Sequence, residues 1–266
     1  EQSLKISQEI GDKSGEGATL NNISQIYDSR GDYETALKYL EQSLKIQQEI
    51  GDKSGEGTTL NNISQIYDSR GDYETALKYL EQSLKIRQEI GDKSGEGTTL
   101  NNISQIFKAR GDYETALKYL EQSLKIQREI GDKSGEGTTL NNISGIYRAR
   151  GDYETALKYL EQSLKICREI GDKSGYATTL HNMAAIAYQN ENIEKFIQYD
   201  MEAYQTALEI NDALIIYRVG ADLGFILCQS GMKKQGLEML KRSLEIGKAA
   251  KFPDVGKIEE MLKEFG

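Results

Sequence analysis

Histidine, cysteine and tryptophan are almost missing from this chain: there is one His, His181, two Cys, Cys167 and Cys228, and no Trp. A single imidazole excludes a histidine-based metal cluster or a repeated acid–base pair, so no metal, cofactor or catalytic residue is expected. The two thiols lack metal or disulfide spacing, which points to a reducing compartment, the cytoplasm. No apolar run approaches the ~18 residues of a membrane span. Basic residues are in deficit, 33 against 42 acids for a net charge of −9, which argues against a nucleic-acid partner. Period-2 alternation is absent, and with it any case for strands.

What the chain has instead is a period. Residues 41–80 read EQSLKIQQEIGDKSGEGTTLNNISQIYDSRGDYETALKYL. Residues 1–40, 81–120 and 121–160 nearly repeat them, and 161–200 begin in register before diverging. A period of this length signals stacked supersecondary units. Within 51–90, Leu60, Ile63, Ile66 and Tyr67 share one helical face, and Tyr73, Ala76, Leu77, Leu80 and Leu84 share another. Gly71-Asp72 separates them, with Asp72 placed to cap the second helix, and Gly91 suits the left-handed position that ends it. The pattern predicts helix A over roughly 54–69 and helix B over roughly 73–90. Such a pair cannot bury its apolar face alone, so the expected fold is all-α, an α-solenoid of stacked antiparallel helix pairs. GDKSGEG lacks the Gly-Lys pair and preceding strand of a phosphate loop and reads as a helix-to-helix linker.

The pattern Leu60…Ile63…Tyr67…Gly71-x-Tyr73…Ala76…Leu80 resembles the tetratricopeptide repeat, with six residues more than the common 34-residue unit, no Pro after helix B, and Ser83 where Ala is frequent. The 40-residue form is similar to the repeats of the Pins-type spindle-orientation adaptors and of bacterial scaffold proteins. The resemblance implies a right-handed superhelix that binds a peptide. It covers 1–190 well and 191–250 loosely. The expected organisation is a truncated helix at 1–10, four near-identical units over 11–170, two divergent units over 171–250 and a capping helix over 251–266, with Pro253 in the first turn of a helix at 253–264. Because Glu1 falls in mid-repeat, a longer array is expected, with an uncapped N-terminal end open to head-to-tail self-association.

Carried over by position, the groove-lining residues of helix A are Asn21, Asn22, Gln25 and Asp28; Asn61, Asn62, Gln65 and Asp68; Asn101, Asn102, Gln105 and Lys108; Asn141, Asn142 and Arg148; then His181 and Asn182. Two adjacent Asn in a helix cost roughly 0.5 kcal/mol each against Ala, and a cost repeated in every unit suggests use. An Asn ladder could hydrogen-bond an extended peptide; alternatively one Asn of each pair bridges neighbouring helices and the other is solvated. Along the array one site runs Asp28, Asp68, Lys108, Arg148. Residues 1–40 and 41–80 each carry seven acids and four bases, −3, whereas 81–120 and 121–160 each carry six and six, zero. This is either drift on a solvated face or a polarised groove that orients a ligand, basic part over the early repeats. The expected function is a non-enzymatic scaffold for a protein or peptide; a structural or self-assembling spacer, or a regulatory domain of a larger protein, are the alternatives.

Overall fold

A computed structural model describes residues 2–252 and 254–266, which fold as two compact units, one reaching to Gly135 and the other starting at Glu136. Among the described residues there are fourteen α-helices and no strand.

The first unit runs α1 (Gln2–Glu9), α2 (Lys13–Asp28), α3 (Tyr33–Ile50), α4 (Lys53–Ser69), α5 (Tyr73–Glu89), α6 (Lys93–Ala109) and α7 (Tyr113–Ile130). Each even-numbered helix is a helix A, paired with the helix B that follows. The expected 54–69 and 73–90 are seen as α4 and α5, within a residue at each end. Capping explains the boundaries. The Asp52 carboxylate accepts from Gly55 N at 2.9 Å and the Asp72 carboxylate from Thr75 N at 3.1 Å, satisfying donors that helix geometry orphans. Helix A therefore begins at Lys53, inside the stretch that the sequence pattern assigns to the linker. Gly51 and Gly91 adopt φ of +72° and +70°, with open space where a Cβ would stand. The core is made between pairs: Ala36 and Leu40 of α3 meet Ile63 and Ile66 of α4, and Ala76 and Leu80 of α5 meet Ile103 and Ile106 of α6. Fully burying a Leu or Ile contributes roughly 1.5–3 kcal/mol, so each interface supplies what an isolated pair lacks. The repeated tyrosines pack within pairs: Tyr27–Tyr39, Tyr67–Tyr79 and Phe107–Tyr119 stack at 5.5–5.6 Å.

The second unit takes in most of α8 (Lys133–Ala149), then α9 (Tyr153–Ile170), α10 (Lys173–Gln189), α11 (Ile193–Ile210), α12 (Ala213–Gln229), α13 (Lys233–Ala250) and α14 (Val255–Phe265). Ala156 and Leu160 of α9 meet Met183 and Ile186 of α10 in the same manner. Beyond this the core becomes larger and more varied, with Phe196, Tyr204, Leu223 and Leu227 in one cluster. The final helix packs Ile258 against Tyr217 and Leu240. The sequence pattern places it over 253–264, and it is described from Val255; Pro253 lies outside the described residues.

Candidate functional site

The Asn pairs form a spine of hydrogen bonds inside the stack. In the first unit Ser43 Oγ donates to Gly17 O at 2.8 Å, and Asn21 Nδ2 donates to Ser43 Oγ at 2.8 Å and to Thr59 Oγ1 of the next helix A at 2.7 Å. Thr59 in turn donates to Gln47 Oε1. Asn62 Nδ2 completes the rung by donating to Asn21 Oδ1 at 3.1 Å, and Asn102 does the same to Asn61 Oδ1 at 2.9 Å. In the second unit Asn141 donates to Ser163 Oγ and Thr179 Oγ1 and accepts from Asn182 at 3.0 Å. For Asn21 and Asn101, placed by the sequence pattern among the groove-lining residues, the alternative of a bridging Asn is the one seen: each is 7% exposed with its amide bonded inside the stack. A buried amide left without partners costs roughly 1–3 kcal/mol, which explains why the sequence accepts a poor helix former here. Ser43 and its copies also gain a reason: Ser83, Ser123 and Ser163 each donate to a helix-A glycine carbonyl, a bond Ala could not make.

The rest of the predicted set lies further out. Asn22, Gln25 and Gln65 are exposed, while Gln105, Asp28, Asp68, Lys108 and Arg148 are half-buried near the C-terminal end of helix A, as are Asn61, Asn62, Asn102, Asn141 and Asn142 along its middle. Burial pushes the Asp28 and Asp68 carboxyls above their ordinary range, and neither forms an ion pair among the described residues. Gln47 of one repeat is Arg87 in the next, and Arg87 reaches its own paired helix A at Thr58 Oγ1, 2.7 Å away, and binds Asp92 at the start of the following one.

The spine changes chemistry in the second unit. His181 stands where Asn141 stands one repeat earlier, but its two hydroxyl partners are gone: Ser163 is followed by Ala203 and Thr179 by Val219. Asp200 instead occupies the place that Leu40, Leu80, Leu120 and Leu160 fill, and it is wholly buried. His181 Nδ1 and Asp200 Oδ1 are 2.9 Å apart, while Asp222 Oδ2, in the register position of the second Asn, lies 3.8 Å from His181 Nε2. The amide rung has become an imidazole between two carboxyl groups. Burial opposes the imidazolium, but the bond to Asp200 and the charges of Asp200 and Asp222 outweigh it and the repulsion of Arg218, holding His181 above its usual pKa. Burial also raises Asp200, partly offset by His181, and Asp200 Oδ2 has no hydrogen-bond partner.

Beside this rung opens a cleft of about 380 Å³, walled by Tyr188, Phe196 and Phe225 and edged by Arg148, His181 and Asp222. Asp200, Asp222 and the aromatic wall were missed by sequence reasoning. The signal was available, since an acid at a position otherwise held by Leu is visible from the 40-residue register alone. Cys167, on the helix B that precedes the His-bearing helix, is buried in the core and its thiol pushed up by that burial and by Asp172.

The tetratricopeptide-repeat family model matches residues 1–49, 18–89, 55–129 and 135–209. The chain belongs to the tetratricopeptide-repeat family. None of the curated proteins compared with it matches its sequence. Among solved structures it is similar to a signal-transduction ATPase with numerous domains and a tetratricopeptide repeat sensor from Pyrococcus horikoshii, at 21% identity and a TM-score of 0.72 over 99% of this chain and 40% of that one. It also resembles BtubC from P. vanneervenii, at 20% identity and 0.66 over 79% and 89%, and a Rap protein complexed with competence and sporulation factor, at 12% and 0.69 over 94% and 75%. These likenesses establish the repeat-stack fold.

Proposed function

We propose that this chain is a protein-interaction scaffold that holds a peptide or extended protein segment against its helix-A faces, with a basic part of the segment on the first repeats. The observation that carries the reading is the pair Asp28 and Asp68, two half-buried carboxylates that burial disfavours and no cation of the described chain compensates. A lysine or arginine of a ligand would supply the missing charge, and Gln25 and Gln65, one turn away and exposed, offer amides to an extended backbone. The Rap relative is known in complex with competence and sporulation factor, a partner for the same fold. Membership of a repeat family whose stacked helices serve as binding surfaces supports binding rather than catalysis. The two free thiols fit the reducing cytoplasm. The test is fluorescence anisotropy of a labelled Gly/Ser peptide bearing spaced arginines, at low salt. Asp28→Lys with Asp68→Lys is expected to weaken binding at least about tenfold; unchanged affinity removes the reading.

A second reading is supported by the exposed isoleucines of the first unit. Ile6 and Ile26 are each 50% exposed, whereas their register equivalents Ile46 and Ile66 are 9% and 2%. A second copy stacking head to tail would cover them. Concentration-dependent sedimentation that Ile6→Glu with Ile26→Glu abolishes is the expected result, and a concentration-independent monomer overturns it.

A further inference from the structure

The cleft in the second unit is built by departures from the repeat. The helix-A position that is Gln25, Gln65 and Gln105 in the first unit becomes Gly145 and then Ala185, and the loss of side chain at Ala185 leaves room in the cleft it lines. The position held by Asp28, Asp68, Lys108 and Arg148 becomes Tyr188, whose ring is 48% exposed in the same cleft. Phe225 follows Ala185 in the register and closes the far wall, steadied edge-on by Phe265 at 5.7 Å. Three aromatic side chains around a space of this size suit one bulky apolar group.

The charges define the rest of the ligand. Asp200 is committed to His181, and Asp222 faces the other imidazole nitrogen. Arg148, at the cleft's edge, makes no ion pair among the described residues. It is a guanidinium beside an apolar hole, and its complement is a carboxylate carried next to an apolar side chain.

We infer that the cleft is an anchor pocket for a large apolar or aromatic side chain whose neighbouring carboxylate pairs with Arg148, as in an extended segment with an aromatic residue beside an acid. The inference deepens the scaffold reading and rests on it for the source of the segment, but the pocket itself is separately testable.

The probes are small: N-acetylphenylalanine, its amide and N-acetylalanine, titrated into the full chain and followed by amide shifts in ¹H–¹⁵N spectra. N-acetylphenylalanine is expected to shift Ala185 and Tyr188, with its amide binding about tenfold more weakly and N-acetylalanine weaker still. Ala185→Gln, which restores a side chain the first three repeats tolerate, should block both aromatic probes. Arg148→Gln should erase the acid-over-amide preference while leaving the apolar contribution. Binding to Ala185→Gln at the wild-type level, or an acid preference that survives Arg148→Gln, overturns the inference. Asp28→Lys with Asp68→Lys should not alter these titrations, so loss of the arginine-peptide result with retention of the probe result separates the two readings.

Discussion

Replacing His181 by alanine should destabilise the second unit in a way that depends on pH, and replacing its partner should cost far less. Asp200 is fully buried in a leucine position, with one carboxylate oxygen on His181 and the other without a partner. Breaking a buried ion pair from one side costs roughly 3–5 kcal/mol. His181 keeps 19% of its side chain exposed, so the low end, about 3 kcal/mol near pH 7, is expected. The abandoned carboxyl can escape by taking up a proton. Its folded pKa then lies further above the unfolded value, so the stability is present at low pH and lost as pH rises through the folded value. The deficit should therefore be smaller at pH 5 than at pH 7, by less than about 1.4 kcal/mol per pH unit, because Asp200 of the unaltered chain is itself raised by burial. Asp200→Leu restores the residue of five other repeats and leaves a part-exposed imidazole that can stay neutral, so it should cost well under what His181→Ala costs. The measurement is native-state amide exchange in α10, α11 and α12, which reads local opening in the intact chain. An equal deficit for His181→Ala at both pH values, or Asp200→Leu as damaging as His181→Ala, refutes the reasoning.

The unaltered chain has its own pH response. His181 and Asp200 both bind protons more tightly folded than unfolded, so protection of α10–α12 should fall as pH rises from about 3.9 through the folded Asp200 pKa and again from about 6.5 through that of His181, and should fall less in Asp200→Leu with His181→Ala, where only Asp222 remains raised. Asn141→Ala leaves Ser163, Thr179 and Asn182 without their shared partner and should cost roughly 1–3 kcal/mol in urea unfolding, where a surface amide would cost under about 0.5. Gly91→Ala meets no atom but must hold φ of +70°, so a loss of about 1 kcal/mol from backbone strain alone is expected; an unchanged midpoint refutes it.

Sequence alone was enough for the helix pairs, their turns and the family. Each rests on local chemistry: the Asp caps act on N–H groups three residues away, Gly51 and Gly91 supply a left-handed turn, and the stripes at 60–67 and 73–84 show their faces within one helix. Repetition then implied the stack, because every unit needs the same neighbour. The fate of the Asn ladder could not be settled this way. Asn21 finds its partners 22, 38 and 41 residues away, and only the approach of a serine on helix B and a threonine and an asparagine on the next helix A turned a costly polar residue into a buried joint. Asp200 shows the intermediate case. Its register position announced an acid among leucines, but tertiary packing brought His181 and Asp222 to it and opened the aromatic cleft alongside, since separations of 19 to 41 residues in sequence become contacts only when helices stack.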